Sequence, residues 1–371
     1  MIDSRILDNL QNINALALIA FVISFVSAAL IVQLHKFFFK LDRSLSDVQV
    51  AHLVPTPRYG GLALFISIAV SVHFVQLKSA MWILISVLPI FLIGVMEDCY
   101  LKTAPTVRYI LGASSAVFGI FLSGVVLNSV DIGHLDHLLS APLIAFIFTV
   151  FCIVGLINAV NLIDGMHGLS LGVCIVMSLS FFLVARKVGD VELASLGVLL
   201  AAASLGLIVL NYPFGKIFLG DSGAYLMGLI IAWLMILLAM RYEDLSKWSL
   251  LAIASWPVME TIFSIVRRKL TRRPADRPDR MHFHHVVMRG LEIISKGRIS
   301  RQMSNPLATL IIFPIACIPA ILGTLYSQSH QAGVAIFLTS FCFYVNFFYW
   351  FCLLCTKRPG GKIRKRCKNS V

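Results

Sequence analysis

Long apolar segments constrain the fold of this chain more than any other feature. Eleven hydrophobic runs, each close to the roughly 20 residues that a helix needs to cross a bilayer, follow one another along the 371 residues. They cover residues 15–34, 61–77, 80–96, 108–128, 141–157, 168–185, 192–210, 222–240, 248–266, 307–326 and 334–355. Hydrophobic residues make up 58% of the chain and charged residues only 13%, against roughly 25% charged in typical soluble domains. The sequence therefore predicts an all-α, polytopic membrane protein of about eleven spans, and it excludes soluble and nucleic-acid-binding domains.

The positive charges predict how these spans are oriented. An odd number of spans puts the termini on opposite sides of the membrane, and 25 of the 31 Lys and Arg residues share a side with the C-terminus. Because cytoplasmic loops are enriched in Lys and Arg, we expect the N-terminus outside and the C-terminus in the cytoplasm. We also expect one membrane domain over residues 1–355 and a basic cytoplasmic tail over residues 356–371.

Five short polar stretches interrupt the apolar pattern, all at predicted cytoplasmic ends of spans. They are PTPRYGG (55–61), GVMED (94–98), NAVNLIDG (158–165), FLGDSG (218–223) and PDRMHFHH (278–285). Each by itself is compatible with a turn or a helix cap. Together, on one side of the membrane, they predict a cleft at the membrane surface.

Four acidic residues in these stretches are candidates for catalysis and metal binding. Glu97 and Asp98 end the third span, and Asp164 and Asp221 follow turns at two other helix ends. Carboxylates at such depths are costly unless they are paired or bind a cation. Oxygen ligands favour magnesium or manganese, shared with a phosphate substrate.

Two asparagines precede Asp164 at intervals of three residues. Asn158, Asn161 and Asp164 would therefore stack on one helix face, because residues three apart are neighbours on a helix. A row of amide and carboxylate groups suits a polar ligand better than lipid. We expect Asn158 and Asn161 to bind substrate.

Three histidines, His282, His284 and His285, lie in the longest predicted cytoplasmic loop, which covers residues 267–306. The arginines around them are Arg272, Arg273, Arg277, Arg280 and Arg289. Such a trio could bind a metal, but the surrounding cations oppose another positive ion and favour phosphates. Arg58 and Lys102 are further candidates for anion binding.

Taken together, these motifs resemble the polyprenyl-phosphate N-acetylhexosamine-1-phosphate transferases, which belong to glycosyl transferase family 4. The resemblance covers residues 55–291 in the family's order and spacing. It implies transfer of a sugar 1-phosphate from a UDP-N-acetylhexosamine to undecaprenyl phosphate, with release of UMP, at the cytoplasmic face of a bacterial inner membrane. The lipid-linked product would start a cell-surface polysaccharide such as O-antigen.

The resemblance also implies roles for individual residues. Asp221 is similar to the family's magnesium-binding aspartate and Asp98 to the second acid of its paired-aspartate motif. Gly165 and His167 lie in a stretch resembling the nucleotide-contacting loop. The histidine motif, His-x-His-His after Pro-Asp-Arg280, is similar to that of the N-acetylglucosamine-type branch, which favours a small UDP-sugar. A homodimer is left open.

The chain departs from the family pattern at two positions. Glu97 and His167 each stand where better-known members have Asp, which indicates a divergent subgroup or an inactive relative. Glu260 also stands where relatives often have Asp. Arg267 and Arg268 follow two helical turns later, which favours a buried ion pair with Glu260. The alternatives are a phospho-N-acetylmuramoyl-pentapeptide transferase and, from another class, a transporter of an anionic solute.

Overall fold

The structure is a computed structural model that describes residues 4–38, 56–75, 77–101, 103–271, 281–296 and 298–356. Within these ranges every regular element is an α-helix. The helices are α1 (Ser4–Phe38), α2 (Gly60–Val75), α3 (Lys78–Asp98), α4 (Pro105–Ser123), α5 (Gly133–Leu139), α6 (Pro142–Leu162), α7 (Leu169–Lys187), α8 (Val191–Asn211), α9 (Gly220–Arg241), α10 (Lys247–Ile253), α11 (Ser255–Leu270), α12 (Phe283–Ile294), α13 (Arg301–Leu325) and α14 (His330–Thr356).

The apolar helices confirm the predicted fold class. In the described part of the chain, nine helices are long and apolar enough to cross a membrane, and α2 is a shorter apolar helix. The helices α10 and α11 together pass the same test as one broken segment. The chain is therefore a multi-pass, all-α membrane protein. The number of spans and the orientation of the termini remain predictions.

Helix α9 forms the centre of the bundle. It packs against α2, α3, α6, α7 and α8, and nearly every side chain from Ser222 to Ala239 is buried. A helix that is apolar all round is buried by its neighbours. The position of α9 matters for function because its first turn carries the FLGDSG stretch.

The predicted span over residues 248–266 is bent by 84° between α10 and α11. Pro257 has no N–H to donate to the carbonyl of Ile253, four residues earlier, so the hydrogen-bond ladder is interrupted at the bend. After the bend, α11 exposes Ile265 and Leu270 and buries Glu260. The exposed face of α11 thus includes large apolar side chains, as expected for a helix with one face toward lipid, and the acid lies inside the bundle.

The bundle has a polar cluster at each end. One end holds the start of α9 together with the ends of α3 and α6, and we call it the site end. At the opposite end, Arg241 pairs with Asp190 at 3.0 Å and Lys247 with Asp131 at 2.7 Å. These ion pairs fasten the loops that connect the helices at that end.

Candidate active site

The first turn of α9 is the centre of the site. Gly220 has a φ of 77°, in the left-handed region that favours glycine, and a Cβ there would collide with the Arg58 carbonyl oxygen. Asp221 follows directly, where the positive end of the helix dipole favours a carboxylate. Its Oδ1 accepts a hydrogen bond from Asn161 Nδ2 at 2.7 Å, and Arg58 Nη2 lies 3.4 Å from Oδ2. Asp221 thus joins three of the predicted stretches.

Backbone hydrogen bonds connect the segment before α2 to the segment before α9. The Phe218 N–H donates to the Pro57 carbonyl at 2.9 Å, and the Gly60 N–H donates to the Phe218 carbonyl at 2.9 Å. The Gly61 N–H donates to the Leu219 carbonyl at 2.8 Å. This pairing holds Arg58 beside Asp221.

Asp98 holds the end of α3 against the start of α9. It is fully buried, and its carboxylate accepts the Asp221 N–H at 2.8 Å, the Ser222 N–H at 3.1 Å and the Ser222 hydroxyl at 2.5 Å. A carboxylate that accepts backbone N–H groups at a helix start satisfies donors that have no partner within the helix. These three donors would compete with a metal ion for the Asp98 oxygens.

Glu97 lies in a different environment from its neighbour Asp98. Its carboxylate accepts hydrogen bonds from Arg108 Nε at 2.6 Å, from the Tyr225 hydroxyl at 3.0 Å and from the Thr103 hydroxyl. The extra methylene of Glu relative to Asp lengthens its reach toward α4 and α9. Both acids of the pair therefore connect helices.

Asp164 lies in the loop between α6 and α7 and accepts a hydrogen bond from the Gly220 N–H. Burial, followed by the nearby carboxylate of Asp221, raises the pKa of Asp164 to about 7. The repulsion between these two carboxylates favours a cation near them. Asn158 is placed less centrally, since its Nδ2 donates to the Val154 carbonyl of its own helix at 2.8 Å.

The segment with the three histidines approaches this loop through His284. A Cβ at Gly165 would lie 2.5 Å from His284 Nε2, so the glycine permits a close approach. The rings of His282 and His284 are nearly parallel with centroids 5.7 Å apart, and His285 lies 4.3 Å from His284. Burial, followed by the charges of its neighbours His285 and His282, lowers the pKa of His284 well below its usual value. Burial therefore favours the neutral form of His284, which has one N–H to donate.

His167 is buried between two loops. Its Nδ1 lies 2.8 Å from the Pro213 carbonyl oxygen, and its ring is 5.6 Å from that of Phe218. Its backbone N–H donates to Asn305 Oδ1 at 2.9 Å. These contacts connect the loop after α6 to the loop before α9. The predicted role of His167 in substrate binding remains a prediction, and Lys102 and Arg280 lie outside the described residues.

Glu260 is the site neighbour whose role sequence reasoning missed. Its Oε1 lies 3.1 Å from His282 Nδ1 and accepts the Phe283 N–H at 3.1 Å, and its Oε2 accepts the Tyr344 hydroxyl at 2.6 Å. The predicted partner Arg267 lies over the ring of Phe263, 6.0 Å from its centroid. The sequence feature that could have indicated this role is an acid inside an apolar run. No spacing rule connects that acid to a histidine in another segment.

The donor set at the site end suits a hard divalent cation. Among the described residues no three His, Cys, Asp or Glu side chains form a ready-made metal cage. Asp221 and Asp164 nevertheless offer carboxylate oxygens at this end, and the Asn161 amide donates to Asp221 through Nδ2. Magnesium fits such a place because it takes one or two carboxylates and completes its shell with water and phosphate.

Comparison with known proteins finds a matching family model. The sequence model of glycosyl transferase family 4 matches residues 80–239, from α3 to α9. Over these residues the chain is similar to glycosyl transferase family 4. The family segment includes Asp98, Asn161, Asp164 and Asp221, whereas Arg58 and the three histidines lie on either side of it.

Individual relatives extend the similarity over most of the chain. A probable undecaprenyl-phosphate N-acetylglucosaminyl 1-phosphate transferase of Bacillus subtilis is 28% identical over 80% of this chain and 77% of its own length. The Escherichia coli undecaprenyl-phosphate alpha-N-acetylglucosaminyl 1-phosphate transferase is 28% identical over 70% of this chain and 69% of its own. A phospho-N-acetylmuramoyl-pentapeptide-transferase of Latilactobacillus sakei is 29% identical over 63% of this chain and 77% of its own.

Proposed function

We propose that this chain transfers an N-acetylhexosamine 1-phosphate from a UDP-sugar to undecaprenyl phosphate and releases UMP. The donor would be UDP-N-acetylglucosamine or a related UDP-N-acetylhexosamine, and the site end would face the cytoplasm of a bacterial cell. The observation that carries the proposal is the meeting of four separate motifs at Asp221, through Arg58, Asp98 and Asn161. His284 approaches one of them at Gly165. The names of the B. subtilis and E. coli relatives support the pair of substrates.

The reaction needs cationic and hydrogen-bonding groups around phosphate oxygens. An oxygen of the lipid phosphate attacks the phosphorus attached to the sugar, the bond from this phosphorus to the bridging oxygen of UMP breaks, and a new pyrophosphate is formed. Phosphoryl transfer is catalysed mainly by positioning and charge neutralisation. Because the lipid phosphate is already ionised at neutral pH, the site does not need a strong general base.

The residues of the site divide this work. Arg58, held 3.4 Å from Asp221, supplies a cation at the mouth of the site. The histidines supply N–H donors for the phosphate oxygens, and Asn161 orients Asp221. Asp221 and Asp164 would hold a magnesium or manganese ion, which when bound would neutralise charge on the diphosphate of the donor.

The test is UMP release by membranes that contain the chain, undecaprenyl phosphate, magnesium and a panel of UDP-N-acetylhexosamines. We expect turnover with at least one donor and its loss on adding EDTA. Asp221→Asn should abolish UMP release while the protein remains inserted in the membrane. The matched control is Asp244→Asn, an exposed acid at the opposite end, which should keep full activity. Absence of product with every donor would refute the proposal.

A second donor belongs in the panel because of the L. sakei relative, whose name specifies a muramoyl-pentapeptide substrate. The spacing of His282, His284 and His285 favours the smaller donor. A UDP-muramoyl-pentapeptide used in preference to UDP-N-acetylhexosamines would reassign the chain to that activity. Solute uptake into vesicles without UMP release would instead indicate a transporter.

A further inference from the structure

The histidine segment is held by a buried carboxylate that lies outside the five motifs. Glu260, on α11, is 1% exposed. Its carboxylate lies 3.1 Å from His282 Nδ1 and accepts hydrogen bonds from the Phe283 N–H and the Tyr344 hydroxyl. A buried carboxylate is costly unless donors satisfy it, and three donors from two other segments meet at this one.

The contact fixes which nitrogen of His282 can reach a ligand. Nδ1 faces Glu260, and Ser264, one helical turn further along α11, places its hydroxyl 3.4 Å from the same nitrogen. A histidine that donates Nδ1–H to a carboxylate has its tautomer and ring orientation set by that bond. Nε2 is then the nitrogen that remains for a phosphate oxygen.

The neighbouring side chain makes the orientation of His282 more rigid. Phe283 is fully buried, and its ring contacts those of Trp256 and Tyr344, with centroids 5.4 Å and 5.2 Å away. Because the Phe283 N–H and the His282 ring both contact the Glu260 carboxylate, the backbone at the start of α12 has little freedom. The parallel ring of His284 then continues the array toward Gly165 and the acids.

We propose that Glu260 is a positioning residue that acts through His282, presenting His282 Nε2 to the phosphates of the UDP-sugar. This inference rests on the proposed transferase function. Glu260 touches no reacting atom, and its effect passes through the histidine. It predicts that Glu260 and His282 are coupled energetically, whereas a carboxylate that merely stabilised α11 would act independently of the imidazole.

The test is a double-mutant cycle of Glu260→Gln and His282→Asn, with KM for the UDP-sugar and the thermal midpoint both measured. The Gln amide keeps the size of Glu260 but cannot accept all three donors. We expect Glu260→Gln to raise KM by about 10-fold to 100-fold, as for other partners that orient a functional histidine. In the His282→Asn background the same change should alter KM by no more than about twofold.

The control is Thr261→Ala on the same helix, because the Thr261 hydroxyl donates only within α11, to the Pro257 carbonyl. It should leave KM unchanged in both backgrounds.

A loss of folded protein lowers the apparent kcat and leaves KM as it is, so a changed kcat with an unchanged KM would overturn the inference. Additive effects of the two substitutions on KM would overturn it too. Failure of the wild-type chain to release UMP would overturn the proposed function and this inference with it, whereas wild-type turnover with additive variants overturns the inference alone.

Discussion

At the scale of single residues, the acids of the site differ in what they contact. The carboxylates of Asp98 and Glu97 accept hydrogen bonds from residues on other helices. The carboxylates of Asp221 and Asp164 accept fewer hydrogen bonds. The sequence indicated that all four acids belong to one site. It could not assign these separate contacts, because adjacent acids at one helix end point in different directions.

Asp98→Asn should reduce stability and activity together. The amide retains one acceptor but loses the negative charge at the start of α9, where capping contacts contribute about 0.5–2 kcal/mol. We expect a lower thermal midpoint in detergent and a strong loss of UMP release, since Asp221 is the next residue along the turn. Asp221→Asn should lower activity without this loss of stability. A stable but inactive Asp98→Asn protein would instead place Asp98 in direct contact with metal or substrate.

Glu97→Asp introduces the acid that the resemblance to the transferase family leads us to expect at this position. In this chain the shorter side chain should reach either Arg108 or Tyr225, but not both. We expect a destabilisation of about 1 kcal/mol from the lost hydrogen bond, with measurable turnover retained. Thermal unfolding and UMP release on the same preparation would check this. An increase in stability would show that the extra methylene is not needed to connect α4 and α9.

At the scale of elements, the apolar runs predicted the membrane helices well and the connections poorly. Residues 267–306 were interpreted as a loop, but the structure contains α12 over Phe283–Ile294. Its apolar positions 283, 286, 287 and 290 are buried on one face, which is a helical spacing. The run was too short and too charged to be read as a span. The bend before α11 was likewise hidden inside a continuous apolar run.

Contact between α12 and the loop after α6 gives a prediction at this scale. Gly165→Ala would place a methyl group 2.5 Å from His284 Nε2, so that the His284 ring must move. We expect UMP release to fall at least about tenfold, as when a positioning contact is displaced by an ångström. Gly155→Ala on α6 is the matched control, because nothing lies within 4 Å of a Cβ there. Equal activity of the two variants would mean that His284 need not approach the loop.

At the scale of the whole molecule, the helices separate the polar residues into two ends. The site end and the opposite end are both rich in charge, so charge alone does not distinguish them. Only the excess of Lys and Arg along the sequence predicts which end faces the cytoplasm. Composition therefore predicted the class of protein, and the motifs predicted that polar stretches lie together at one end, but neither could supply the contacts between distant segments.

Cysteine labelling would test the orientation. Cys99, at the site end, is exposed, and an impermeant maleimide should reach it only after cells are permeabilised. A cysteine introduced by Glu243→Cys at the opposite end should react in intact cells. The reverse pattern would place the site end outside, where a UDP-sugar made in the cytoplasm could not reach it.

The hydrogen bond from Tyr344 to Glu260 has a consequence for biosynthesis. Tyr344 lies on α14, while every motif from Arg58 to His285 is translated before that helix. A nascent chain arrested ahead of α14 would already carry all the motif residues, yet the Glu260 carboxylate would lack the Tyr344 hydroxyl and Phe283 much of its aromatic packing. Competence for catalysis would therefore come only after α14 has left the ribosome and entered the membrane.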